Sequence, residues 1–159
     1  MSLDIPAGFT ALKLNIGFLE ACGPLYGKWI DDRLLLGFRV ELRHCNPGQV
    51  AHGGMLATFA DMLLPLAVRL QNATDLGFIP TVNLTCDYLA PAPLGAWVEG
   101  RADALTITRN LLFAQGLAAA DGTPCLRTNG IFKISQHKPG DLEAGVFSRD
   151  RLFGPGFGS

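Results

Sequence analysis

The residues best suited to chemistry lie in one run, Asn46-Pro-Gly-Gln-Val-Ala-His52-Gly53-Gly54, followed after six mostly apolar residues by Asp61. A glycine pair opening a helix exposes backbone N–H groups at the positive end of the dipole, where an oxyanion or thioester carbonyl is held. From Met55 to Leu70 the only charges are Asp61 and Arg69, so Asp61 is a carboxylate where burial ordinarily forbids one. A carboxylate so placed serves as general base or nucleophile.

Spacing adds a constraint. Gly53 and Asp61 are eight residues apart, or ~12 Å along a helix rising ~1.5 Å per residue. Donor and carboxylate must each approach the same reacting group within ~3 Å, so if both act they come from two antiparallel copies of the helix. Gly54, Thr58, Asp61 and Pro65 follow the i, i+4, i+7, i+11 spacing of one helical stripe, expected to face a partner helix while the apolar sides meet a sheet. At least a homodimer is expected, with a homotetramer left open.

Cys22, Cys45, Cys86 and Cys125 are far apart and lack the paired spacings of zinc sites, so no metal is expected and the thiols read as reduced and mostly buried. Cys45 lies near His52, which leaves a Cys–His nucleophile as a minor rival.

The 159 residues suffice for one domain; 48% are apolar and 17% charged, an imbalance that suits burial by oligomerisation. Net charge is −1 and the 13 Lys and Arg are scattered, which argues against nucleic acid or anionic lipid as partners. No apolar run reaches spanning length and Met1–Gly8 lacks signal-peptide character, so the expectation is a soluble cytoplasmic protein without membrane contact.

The elements that position the chemistry follow from periodicity. Thr10–Cys22 reads as a short amphipathic helix before Gly23-Pro24. Leu25–Ile30 and Leu34–His44 read as a hairpin across Asp31-Asp32-Arg33, with Phe38, Val40 and Leu42 alternating with Arg39, Glu41 and Arg43. A loop at Cys45–Ala51 leads to a helix from about Gly53 to about Gln71, which Pro65 is expected to kink or loosen. Beyond a loop at Asn72–Gly77, Val82, Leu84, Cys86 and Tyr88 share one strand face, with Thr81, Asn83, Thr85 and Asp87 on the other, polar face near the candidate site. Pro91-Ala-Pro93-Leu-Gly95 makes a turn. Further strands fall at about Ala96–Thr106, Asn110–Ala120 and Cys125–Gln136, the last two joined by Asp121-Gly122. The tail from Pro139 to Ser159 is rich in turn formers, although Phe147, Leu152, Phe153 and Phe157 can pin it to the body. One long apolar helix among mostly antiparallel strands is an α+β layout with a curved sheet wrapping the helix.

The run Asn46-Pro-Gly-Gln-Val-Ala-His52-Gly53-Gly54 with Ala60-Asp61, joined by Thr81-Val-Asn-Leu-Thr-Cys-Asp-Tyr88-Leu-Ala-Pro91 and Leu94-Gly95, resembles the hotdog-fold acyl-CoA thioesterases of the phenylacetate-pathway type over roughly residues 10–136. The resemblance implies a hotdog fold, an antiparallel sheet around one central helix, spanning residues 1–138 with a C-terminal tail at 139–159. It implies hydrolysis of acyl-CoA thioesters without a cofactor. Asp61 would be the general base or the nucleophile of a mixed anhydride; Gly53 the backbone donor to the thioester carbonyl; Asn46 and His52 the groups orienting water or substrate across the interface; Thr81 a hydroxyl steering the water. Arg109 and Asn110 match the stretch that touches the nucleotide end of coenzyme A, for which arginine's affinity for phosphate is suited.

Each position also has a structural role open to it. His52 can brace the loop by donating a ring N–H to a backbone carbonyl, Asn46 can make an Asx turn with Pro47-Gly48, Gly53-Gly54 can serve helix packing, and Arg109 can be a surface turn residue. The rival functions are a non-catalytic acyl-CoA-binding module, in which Asp61 would be idle, and a hotdog hydratase or dehydratase. No Gly-x-Ser-x-Gly elbow supports a serine hydrolase.

Overall fold

The computed structural model describes residues 4–13, 17–72, 76, 78–135 and 148–158. In chain order these form β1 (Thr10–Ala11), α1 (Phe18–Cys22), β2 (Tyr26–Ile30), β3 (Arg33–Arg39), α2 (Gly53–Gln71), β4 (Thr81–Tyr88), β5 (Trp97–Ile107), β6 (Leu111–Ala120), β7 (Thr123–Lys133) and α3 (Arg149–Phe153). The strands make one antiparallel seven-stranded sheet in the order β1-β2-β3-β5-β6-β7-β4. This sheet curves around α2 as expected of an α+β hotdog layout.

The wrapping has a packing cause. A Cβ at Gly100 would sit 2.7 Å from Leu63 Cδ2, and Cβ atoms at Gly116 and Gly130 would each sit 3.0 Å from Leu64, so the missing side chains on β5, β6 and β7 let the helix sink into the sheet. Phe59, Ala60, Leu63, Leu64, Ala67 and Val68 are fully buried there, against Phe38, Val98, Leu112, Leu126 and Phe132. By length and hydropathy α2 would pass as a membrane span, which corrects the expectation that no segment reaches that length; its apolar surface is taken up by the sheet, as in the core helix of a globular fold. It also runs through Pro65 to Gln71, where the Asn72 amide still bonds the Val68 carbonyl. Loosening of the last turns therefore does not occur.

Three other expectations are corrected. The Thr10–Cys22 helix is replaced by β1, which pairs with Tyr26–Gly27, and by the five-residue α1 after Gly17 at φ 56°; Leu14–Ile16 lie outside the described residues. The second hairpin arm stops at Arg39 rather than His44. His44 Nδ1 accepts the Glu41 N–H at 3.0 Å that a longer strand would need for its ladder, closing a 3-10 turn at Leu42–His44 and leaving Leu42 71% exposed. The third concerns β4. Its pairing with β7 slips between Thr81 and Asn83, a bulge that turns Thr81 to the same side as Leu84, Cys86 and Tyr88. Asn83, Thr85 and Asp87 stay on the outer face, where Asp87 pairs with Arg127, so the polar face expected near the site does not border it.

The β6–β7 turn holds Asp121 at φ 46° and Gly122 at φ 85°, the two left-handed positions a tight hairpin requires. The expected pinning of the tail is observed among the described residues: Leu152 and Phe153 are buried, Phe157 stacks on Phe153 at 4.1 Å, and the Arg149 guanidinium lies 3.8 Å over the Trp29 ring. Phe147 and the expected boundary at residue 138 lie outside the described residues.

Candidate active site

The loop before α2 is built on its own side chains. Asn46 Oδ1 accepts the Gly48 N–H at 2.9 Å, the Asx turn anticipated for this dipeptide, and the Asn46 N–H donates to the Val50 carbonyl at 2.9 Å. The loop is tied outward to the Pro91–Gly95 turn through Ala51 N–H to Ala92 O at 2.8 Å and Leu94 N–H to Gln49 O at 2.9 Å. His52 is the N-cap of α2. Its Nδ1 accepts the Gly54 N–H at 2.9 Å, the reverse of the donation expected of it. An accepting Nδ1 carries no proton, so the neutral ring keeps its proton on Nε2.

That cap decides which backbone donor remains. Of the first four N–H groups of α2, Gly54 is taken by the His52 ring and Met55 and Leu56 by the His52 carbonyl at 2.8 and 3.1 Å. The Gly53 N–H has no partner among the described residues. The Gly53 carbonyl accepts the Tyr88 hydroxyl at 3.0 Å, which fastens the start of α2 to β4. Tyr88 was named from the sequence only as a strand residue; its place on the helix-facing side of the alternation was the signal for this contact.

Asp61 sits two turns further along, half-buried on the stripe of α2 that the sheet leaves uncovered with Gly54, Thr58 and Pro65. It is not sunk in the core as the apolar run suggested. Its Oδ1 accepts the Thr81 hydroxyl at 2.6 Å, a bond that exists because the β4 bulge turns Thr81 inward. The pair lines a cleft of about 410 Å³ together with Met62, Pro65 and Leu66 of α2, Phe78, Ile79 and Pro80, and Leu19 of α1, with Arg69 also in its wall. Of these residues Phe78, Ile79 and Pro80 were not singled out from the sequence, because the stretch before β4 carries no motif.

The structure thus joins Asp61 to Thr81, and Asn46, His52 and Gly53 to one another along the loop, but leaves the two groups apart on one chain. Arg109 and Asn110 form the exposed β5–β6 turn, anchored by Ile134 N–H to Asn110 O at 2.8 Å, and no hydrogen bond connects them to either group. A Cys45–His52 pair is not formed: Cys45 Sγ lies 3.3 Å from the Glu41 carbonyl, and the His52 Nδ1 is occupied. The buried His44 ring has its basicity lowered by burial and then by Arg43. Burial likewise raises the Cys86 thiol and the Tyr88 hydroxyl, keeping both protonated beside the site. Among the described residues no three His, Cys, Asp or Glu side chains gather as a metal site.

Residues 48–123, from the loop through α2 to the start of β7, match the model of the thioesterase superfamily. A candidate esterase of Pseudomonas aeruginosa is 27% identical over 133 residues, which cover 83% of this chain and 98% of that protein. Zebra fish thioesterase superfamily member 2 superposes with a TM-score of 0.67 at 22% identity over 75% of this chain and 87% of its own. A hypothetical thioesterase from Streptococcus pneumoniae, solved with coenzyme A, gives 0.60 at 16% identity, covering 70% and 85% of the two chains. A mutant phenylacetic acid degradation protein from Thermus thermophilus gives 0.61 at 24% identity, covering 74% and 98%. With the wrapped helix and its loop in place, the chain has the hotdog fold of these solved structures and is similar to the thioesterase superfamily over residues 48–123.

Proposed function

We propose that the protein hydrolyses acyl-CoA thioesters to a free acid and coenzyme A. One observation carries the proposal: the Asp61 carboxylate is held by Thr81 beside a cleft whose other walls are apolar except for Arg69. Thr81 occupies Oδ1, which leaves Oδ2 for a water or for the substrate carbonyl. As a base, Asp61 takes a proton from water while the oxygen attacks the thioester carbon; as a nucleophile, it attacks directly and water then cleaves the anhydride. Both routes place negative charge on the carbonyl oxygen and expel the coenzyme A thiolate, which takes up a proton.

The donor for that oxygen is the Gly53 N–H of a second copy, since the same chain's Gly53 is ~12 Å along the helix. The open edge of β4 supports such a pairing. Among the described strands this eight-residue strand bonds only β7, and Val82, Tyr88 and Leu89 on or beside it are more than half exposed. Edge-to-edge pairing about a two-fold axis would set the uncovered stripes of two α2 helices face to face. In this reading His52 Nε2–H and Asn46 meet the substrate across that interface, and Arg109 with Asn110 takes the nucleotide end of coenzyme A.

Incubation with a panel of acyl-CoAs, following free thiol and hydrated acyl-CoA together with and without chelator, tests the function. Thiol release insensitive to chelator is expected. Hydration product without thiol would favour the hydratase reading, and tight binding without either product the non-catalytic module.

A further inference from the structure

Resting on the thioesterase reading, we infer that Tyr88 is a positioning residue, which aims the Gly53 N–H at the thioester carbonyl oxygen by holding the start of α2. Its hold is on a single peptide unit. The Gly53 carbonyl and the Gly54 N–H belong to one planar group, and side chains grip both of its ends, the carbonyl by the Tyr88 hydroxyl at 3.0 Å and the N–H by His52 Nδ1 at 2.9 Å. That unit meets the donor's own at the Gly53 Cα, so holding it restrains the two torsions that aim the free N–H, torsions that no side chain at Gly53 restrains.

The two grips differ in what they reach. His52 is the cap of the same helix, and the Thr58 hydroxyl on the Gly54 carbonyl at 2.9 Å and the Met55 and Leu56 N–H groups on the His52 carbonyl are equally local, so these bonds give the helix start its shape. Among the described residues the Tyr88 hydrogen bond is the one that runs from Gly53–Leu56 to the sheet, and it gives that shape its place. The ring lies against Gly53 as well, 3.4 Å from where a Cβ would stand, so packing keeps the hydroxyl over the carbonyl. Burial raises the hydroxyl's pKa and keeps it protonated, as a donor must be. Near the other end of β4 Thr81 holds Asp61 in the same manner. In the shared site, Tyr88 of one copy and Thr81 of the other therefore hold the donor and the carboxylate on either side of one thioester.

The test is a double-mutant cycle read as kcat and KM on one acyl-CoA that wild type hydrolyses, with kcat expressed per folded protein from circular dichroism. Tyr88→Phe keeps the ring and its packing and loses the hydrogen bond. Its kcat should fall by about tenfold with KM unchanged, the pattern of a contact expressed in the transition state. In the Gly53→Pro background no N–H is left to aim, so the same change should alter the residual kcat by less than about twofold. A kcat that Tyr88→Phe leaves at the wild-type value, a rise in KM in its place, or a fall that persists in full without the Gly53 N–H overturns the inference while leaving the thioesterase reading intact. No thiol release by wild type from any acyl-CoA overturns both.

Discussion

At the junction of loop and helix the polar side chains turn back on their own backbone, Asn46 onto Gly48 and His52 onto Gly54. Two turns along the same helix Asp61 does the opposite, reaching away from α2 to a hydroxyl on β4 and facing a cleft. The first region spends its side chains on holding a shape, and what it presents is a backbone N–H at Gly53. The second has a side chain whose only described partner is another side chain. Residues of similar polarity therefore divide into a scaffold and a carboxylate proposed as the reactive group, and the two regions should respond differently to substitution.

The largest effect is expected at the reactive end. Asp61→Asn keeps the size and the Thr81 contact but removes the base, and turnover should fall by about 100-fold or more with an unchanged circular dichroism spectrum. Near-full activity would return Asp61 to a structural role. At the scaffold end the discriminating pair is Gly53→Pro and Gly53→Ala. Proline suits the first helical position and His52 already has the extended backbone, φ −60° and ψ 139°, that a following proline requires, so this change deletes the N–H with little cost to the helix. Turnover should drop by about 100-fold. Alanine keeps the N–H, and its Cβ would meet the Tyr88 ring at an ordinary 3.4 Å, so the loss should be far smaller.

Smaller effects sharpen the division. Thr81→Val should lower turnover by about tenfold through loss of one charge-assisted hydrogen bond, with stability nearly unaffected. His52→Ala should instead cost about 1 kcal/mol in chemical denaturation, the usual scale for a lost helix cap. A smaller effect comes from His44. Its folded-state pKa lies below the ordinary 6.5, so above that pH both states are neutral and below it the unfolded chain takes up a proton that the folded chain refuses. Stability should therefore decline as pH falls through 6.5 toward the folded-state value, and denaturation midpoints of wild type should show a steeper decline there than those of His44→Gln.

How much of this was legible in the sequence follows from what each signal depends on. The α2 boundaries, Asp61 and the uncovered stripe were readable because they rest on helical period, a local property. The Thr81–Asp61 bond was anticipated as two site residues but with Thr81 on the wrong strand face, because a bulge is a mismatch between two strands and leaves period two undisturbed in either alone. The early end of β3 depended on a side chain, His44, competing for a ladder donor, and the short α1 on Gly17 in the left-handed region. The apolar cleft drew its walls from segments remote in sequence, which no single window contains.

The central claim is that each site takes Asp61 from one subunit and the Gly53 donor from the other. The direct measurement is complementation: Asp61→Asn and Gly53→Pro, each inactive alone, are unfolded together, refolded as an equal mixture and assayed, with native mass spectrometry reporting the mixed dimers. A mixed dimer carries one doubly damaged site and one intact site, and about half of the dimers are mixed, so activity should return to about a quarter of wild type. Mixed dimers that form without any recovery would contradict the shared site and place Asp61 and Gly53 in separate roles.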